Sequence, residues 1–313
     1  MFISPTPPPR AQAYRKEPNR IWYVQIIYNI GLIPIFYLIL TETRHSVILA
    51  RRARKIRKET GKPVYARTEC ESVNLLKEMD ISFRRPVHML LTEPVVTFFT
   101  LWISFGWGIL FLFQNSIVQT YTQNYHLNTL QTGTIQLAIT VGAAIGTAVN
   151  PLQDTLYLRS ARKNHEALGT PIPEARLYSS VPGTVFFAGG LFWYGWGSNP
   201  NVHWIVPTCG IASTGLGIYS IYMGVVDYLT DAYTKYAASA LSAASLGRNS
   251  FGGLLPLASY QLFQNLGYGW AGSLLGFVGV ALIPVPCVLI WKGREIRARS
   301  PFMKESVMSR TED

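Results

Sequence analysis

Charge is what this chain has little of. Asp, Glu, Lys and Arg make up 14% of its 313 residues, against about 25% in an ordinary soluble domain. The shortage is concentrated rather than diffuse. Residues 94–153 hold no charged side chain, residues 177–226 hold none, and residues 236–291 hold one, Arg248. A soluble protein of this size scatters its charges over its surface, so a soluble fold is excluded. Each run is about twice the ~20 residues an α-helix needs to cross a bilayer. The pattern predicts an all-α membrane protein containing three helical hairpins, with the charged connections on one side of the membrane.

Other shortages exclude other classes. There are three cysteines, Cys70, Cys209 and Cys287, far apart in the chain. They make neither a disulfide framework nor a CxxC metal site. Cys209 and Cys287 lie in apolar runs, where a reduced thiol acts as a small hydrophobe. The five histidines, His45, His88, His126, His165 and His203, fall outside the apolar runs or at their edges, and no pair has metal-ligand spacing. GxSxG, a Walker-type phosphate loop and an intramembrane carboxylate pair are all missing. No enzyme, ATP-driven pump or cofactor is therefore implied. The first 20 residues contain five prolines and several basic residues without an apolar centre. That excludes a signal peptide and reads as a disordered lead-in.

What is present is a regular alternation of apolar runs and basic gaps. Seven membrane spans are expected, at 21–40, 95–118, 133–152, 178–197, 203–226, 236–263 and 268–291. The gaps 41–93 and 154–176 and the tail after residue 291 carry most of the Lys and Arg, with Arg10, Arg15, Lys16 and Arg20 in the lead-in pulling the other way, whereas the gaps 119–132, 198–202 and 264–267 carry none. By the positive-inside rule the basic gaps and the C-terminus face the cytoplasm. The net charge of +11 is accounted for in this way, with the lipid bilayer as partner and without nucleic acid. The chain divides into a lead-in (1–20), an unpaired span (21–40), a basic cytoplasmic loop (41–94), a six-helix bundle (95–292) and a cytoplasmic tail (293–313). Gly142 and Gly146, and then Gly210, Thr214 and Gly217, form small-residue faces that let helices approach, and packing accounts for them. Prolines 34, 182, 207, 256, 284 and 286 inside spans point to kinks.

Arg248 is the sharpest residue. It lies ~18 Å along its helix from the cytoplasmic start, at 1.5 Å per residue. A charge at that depth is turned inward and paired, or else snorkels to an interface. The candidate partners are Asp227 and Asp231, four residues apart on one helix face. The expectation is an Asp227–Arg248 interaction, direct or through water, with Asp231 facing the cytoplasm. Polar and aromatic groups inside spans, namely Trp107, Gln114, Gln136, Tyr219, Tyr222 and Asn249, are expected to join Arg248 in a substrate cavity. An aromatic cavity dotted with amides suits a large, partly apolar or cationic ligand. For the tyrosines and Gln136 an interface belt is the alternative.

Several stretches together resemble the second half of a fungal Major Facilitator Superfamily transporter, of the twelve-span drug:proton antiporter group that includes polyamine and multidrug exporters. They are Thr41-Glu42-Thr43-Arg44 with the basic run to Gly61, Glu93-Pro94, and Gln153-Asp154 through Arg159 to Pro173-Glu174-Ala175-Arg176. Tyr228-Leu229-Thr230-Asp231 with Arg248-Asn249-Ser250-Phe251-Gly252-Gly253, Leu266-Gly267 with Trp270-Ala271, and Ser300-Pro301-Phe302 complete the set. The resemblance covers nearly the whole chain and implies that its seven spans are spans six to twelve, with the N-terminal half missing. It implies efflux of small organic molecules, drugs or polyamines, by proton antiport and alternating access, from the plasma membrane or alternatively the vacuolar membrane. It places Asp154, Arg159, Glu174 and Arg176 in a cytoplasmic charge network that stabilises one state, beside Asp227 and Asp231. A missing N-terminal half is the implied partner, with a small organic substrate and a proton as the coupling ion. The alternatives are a degenerate half-transporter that acts only as a membrane interaction protein and a seven-span receptor. The second is disfavoured by a first internal loop of ~50 residues, long against the usual 2–8 for bundle connections.

Overall fold

The structure is a computed structural model that describes residues 18–39, 45–66, 69, 75–163 and 172–305. Cys70, His165, Thr41–Arg44 and the lead-in up to residue 17 lie outside these residues. The chain forms two compact units, Met1–Leu75 and Leu76–Asp313.

In the first unit α1 (Pro18–Ile39) is apolar along its length and carries Pro34 inside it. It covers the expected first span up to Ile39, and most of its described large side chains, such as Tyr23, Ile27, Ile33 and Tyr37, are exposed. Helix α2 (His45–Thr60) follows. Its Ala, Arg, Lys and Glu are strong helix formers, which is why much of the expected loop is helical. Arg54 and Arg57 both reach Glu69, at 2.8 and 3.5 Å. Gly61 ends the helix in the left-handed conformation (φ 68°), and its N–H reaches back to the Arg57 carbonyl at 3.1 Å. This is the cap that glycine supplies at no steric cost.

The second unit is a helical bundle. A helix, α3 (Leu75–Thr92), leads through Glu93 into α4 (Pro94–Tyr125). Pro94 takes the first helical position, where its missing N–H goes unmissed. The short α5 (Thr129–Ile135) is opened by a reciprocal capping box between Asn128 and Gln131. It runs through Gln136 into α6 (Leu137–Ser160). After a connection come α7 (Ser180–Gly197), α8 (Ile205–Tyr233), α9 (Ala237–Ala281) and α10 (Pro284–Arg299). Every stretch expected as a span is helical. Among the described residues Pro94–Tyr125, Leu130–Ser160 and the run Ile205–Arg299 are long and apolar enough to cross a membrane.

Helix α9 contains the turn expected at 264–267. Gly267 sits at φ 72°, ψ 164°, a region essentially reserved for glycine, so the chain reverses there although hydrogen bonding continues on both sides. The tight connection expected after Asp231 is also present, as the single turn Thr234–Tyr236.

In a bilayer, apolar helices gain little by leaving lipid for one another, so close packing decides which of them associate. Helix α8 packs most extensively on α7 and α6, and α9 on α4 and α7. The small residues mark the contacts. A Cβ on Gly142 would fall 1.9 Å from the Ala212 carbonyl oxygen, and one on Gly217 2.5 Å from Phe187 Cβ. Gly142 thus lets α6 onto α8, and Gly217 lets α8 onto α7. Polar groups fasten the same bundle: Tyr194 Oη lies 2.7 Å from both Ser116 and Thr120 hydroxyls, joining α7 to α4.

Candidate functional site

Two polar sites emerge from the bundle. The first lies where the connection before α7 returns to the helices. Gln153, buried on α6, donates to the Ala175 carbonyl at 2.6 Å and accepts from the Ser179 N–H at 3.0 Å. This holds the turn Pro173–Leu177 down on α6 and brings Arg176 over α8. Arg176 Nε donates to Asp231 at 3.0 Å, and its Nη1 lies 3.4 Å from Asp154 and 3.6 Å from Asp227. Tyr157 completes the cluster. Its hydroxyl donates to Asp231 at 2.7 Å, and its ring lies 3.6 Å below the guanidinium. Partial burial alone would lower the Arg176 pKa, but its hydrogen bond to Asp231 and that group's charge hold it above the ordinary value. It therefore stays cationic.

The same turn presents Glu174 to α10. Gly293 leaves the space: a Cβ there would meet Glu174 Cγ at 2.4 Å. One helical turn further, Arg297 donates to the Glu174 carboxylate. At the start of α4 the buried Glu93 accepts from Tyr233 Oη at 3.2 Å, tying α4 to the end of α8.

The second site is at Arg248, midway along a charge-free run of α9. Its guanidinium lies 4.6 Å from the Trp107 ring of α4 and 5.6 Å from the Tyr222 ring of α8. The two rings are themselves 5.7 Å apart. Nη2 donates to Ser245 Oγ over a long 3.4 Å, while Nε is buried with no hydrogen-bond partner among the described residues. Removing a cation from water costs several kcal/mol, whereas a cation–π contact returns roughly 0.5–2 kcal/mol. The two rings and one long hydrogen bond therefore leave Arg248 undercompensated.

These positions sort the expected site residues. Trp107, Tyr222 and Arg248 come together. Gln136 donates to the Gln114 carbonyl at 3.4 Å, forming a separate polar pair between α4 and the α5–α6 junction. Tyr219, three residues before Tyr222 on α8, lies against Gly146 of α6. Asn249 is exposed, and no side-chain contact joins it to the cage. Of the charged residues, Asp154, Arg176, Asp227 and Asp231 form one cluster and Glu174 pairs with Arg297, whereas Arg159 is exposed. Two expectations are corrected. Asp227 faces Arg176 and not Arg248, because α8 turns its acidic end toward the 173–177 turn while Arg248 sits among rings. Asp231 is held by Arg176 and Tyr157 rather than left to solvent. Tyr157, Arg297 and the Glu93–Tyr233 pair were not anticipated. Arg297 is one of several basic residues in the tail, with nothing to single it out, but Glu93 beside a charge-free run was a visible signal.

A cleft of about 600 Å³ opens elsewhere, between the start of α4 and α10, lined by Val95, Phe98, Val285, Val288 and Leu289 among others. It contains none of the residues expected to line a substrate cavity, although Glu93 lies on its wall.

Comparison with known proteins places these features in a family. The chain is 37% identical over 286 residues to "Efflux pump atB" of Aspergillus terreus, covering 90% of this chain and 60% of that protein. It is 35% identical over 278 residues to the "Major facilitator superfamily multidrug transporter FLU1" of Candida albicans, covering 87% and 45%. It is 33% identical over 283 residues to the "MFS transporter cpaT" of Aspergillus oryzae, covering 90% and 56%. The chain spans about half the length of the curated relatives it matches. No solved structure matches it. The family model described as Major Facilitator Superfamily matches residues 20–256, which joins α1 and most of the bundle in one relationship. With that match spanning well over half of its length, the chain belongs to the Major Facilitator Superfamily.

Proposed function

We propose that this chain forms the second half of a secondary-active exporter of small organic molecules, its seven helical stretches acting as spans six to twelve. In this reading transport is by alternating access with a proton as the coupling ion, and the basic connections and the C-terminus face the cytoplasm of a plasma-membrane protein. The observation that carries it is the meeting of Trp107, Tyr222 and Arg248 from three different helices. A site assembled from several helices changes shape when those helices rock, as alternating access requires. The cluster of Arg176 with Asp154, Asp227 and Asp231, and the Glu174–Arg297 pair, serve as latches that hold one end of the bundle closed in one state and part in the other. Such two-state interfaces convert small shifts into discrete transitions. The relatives named above as an efflux pump and a multidrug transporter support the direction of transport.

The experiment is flux into proteoliposomes containing the purified 313-residue chain under an imposed pH gradient, read with fluorescein and with rhodamine 6G. Uptake of either dye that collapses when the gradient is dissipated is the expected outcome. The coverage of about half of each relative favours a second reading, a half-transporter that acts only as a membrane interaction protein. Absence of gradient-driven flux for both dyes would support that reading.

A further inference from the structure

We infer that the site around Arg248 selects small planar organic anions, aromatic carboxylates above all, and disfavours cations. The inference rests on the transporter reading above and names its substrate class. Arg248 is the sole charged residue in 94–153, 177–226 and 236–291, so the apolar depth of this bundle carries one positive charge and no negative one. The acidic residues nearest in sequence pattern are engaged elsewhere: Asp154, Asp227 and Asp231 around Arg176, and Glu93 with Tyr233.

The geometry fits a particular ligand. The Trp107 and Tyr222 rings stand 4.6 and 5.6 Å from the guanidinium carbon, and one of its five N–H donors is engaged, weakly, by Ser245 at 3.4 Å. A carboxylate takes two parallel N–H bonds from a guanidinium fork, and an aromatic body attached to it finds ring faces beside the anchor. A cationic ligand meets the opposite situation. The cage of aromatic faces that would receive it already holds a cation, and a polyamine would add several like charges at the same place.

The test uses three probes with a common naphthyl body: 2-naphthoate, 2-naphthylmethylammonium and neutral 2-naphthamide. Their binding to the full chain in nanodiscs of zwitterionic lipid is measured by calorimetry. Naphthoate is expected to bind at least about 10-fold more tightly than the ammonium probe, the difference that one charge-assisted contact supplies. Arg248→Gln should abolish that preference, so that the naphthoate and ammonium probes bind alike. Equal affinities, or tighter binding of the ammonium, would overturn the inference while leaving a ligand site intact. Binding of none of the three would remove both the inference and the site reading. If Arg248→Gln loses even naphthamide, Arg248→Lys decides. A preference retained in sign but weakened supports the inference, because lysine keeps the charge without the fork, and an undiminished preference overturns it.

Discussion

Arg176 and Arg248 are both arginines drawn away from water, and their surroundings are opposite. Arg176 faces three carboxylates and lies on a tyrosine ring. Arg248 faces two aromatic rings and a serine, with no carboxylate among its described contacts. The first is at the end of the bundle where a connection folds back, and the second is in the middle of an apolar helix. A charge supplied with more than enough opposite charge is held in place by its own chain. A charge left short of compensation is poised for something the chain does not supply. The contrast separates a part of the molecule that holds its helices together from the part that, in the reading proposed above, takes a ligand.

The largest effect should come at the most enclosed ion pair among the described residues. The side chains of Glu174 and Arg297 are 7% and 12% exposed, and withdrawing one partner from a pair so buried costs about 3 kcal/mol or more. Glu174→Ala should lower the unfolding free energy of the detergent-solubilised chain by about that much. A loss below ~1 kcal/mol, the value of an exposed pair, would move this pair to the surface class and weaken the contrast. The next comparison sets the two arginines against each other. With its side chain 22% exposed, Arg176 is partly screened, so Arg176→Gln should cost about 2 kcal/mol, because three carboxylates then face one another unopposed. Arg248→Gln should cost less than ~0.5 kcal/mol or stabilise, because it removes an undercompensated charge. Equal losses in thermal unfolding of the two variants would break the contrast outright.

The sequence was legible wherever a single physical rule dominated. Exclusion of charge from the bilayer marked the apolar helical stretches but not the charged helices α2 and α3, and Gly267 punctuated the continuous helical run α9 at the expected place. Small residues at helix spacing located real contacts, as Gly142 and Gly217 show. What could not be read was which helix face meets which. Asp227 and Arg248 looked like partners because they were the nearest opposite charges on consecutive helices. The pairing actually formed depends on where Gln153 pins the 173–177 turn, a contact that brings Arg176 from a connection to α8. Tyr222 and Tyr219 were grouped because residues three apart share a helix face, yet they meet different neighbours, Trp107 of α4 and Gly146 of α6. Pairing is a property of tertiary packing, and one helix's periodicity does not contain it.

The smallest effect is the one that bears most directly on that point. In a double-mutant cycle, Asp227→Asn and Arg176→Gln should couple by about 0.6 kcal/mol, the usual size for polar pairs between membrane helices. Asp227 lies 3.6 Å from Arg176 with its side chain 37% exposed, so solvent screening keeps the coupling from exceeding that size. Asp227→Asn and Arg248→Gln should be additive within ~0.3–0.5 kcal/mol, as residues without shared partners are. Both cycles can be read from the same unfolding transitions, with Arg176→Gln serving as the internal positive case. Coupling in the second cycle as large as in the first would mean that Asp227 reaches Arg248 in a conformation other than this one. A single carboxylate would then serve both arginines in alternate states, and the two sites contrasted here would be two positions of one switch.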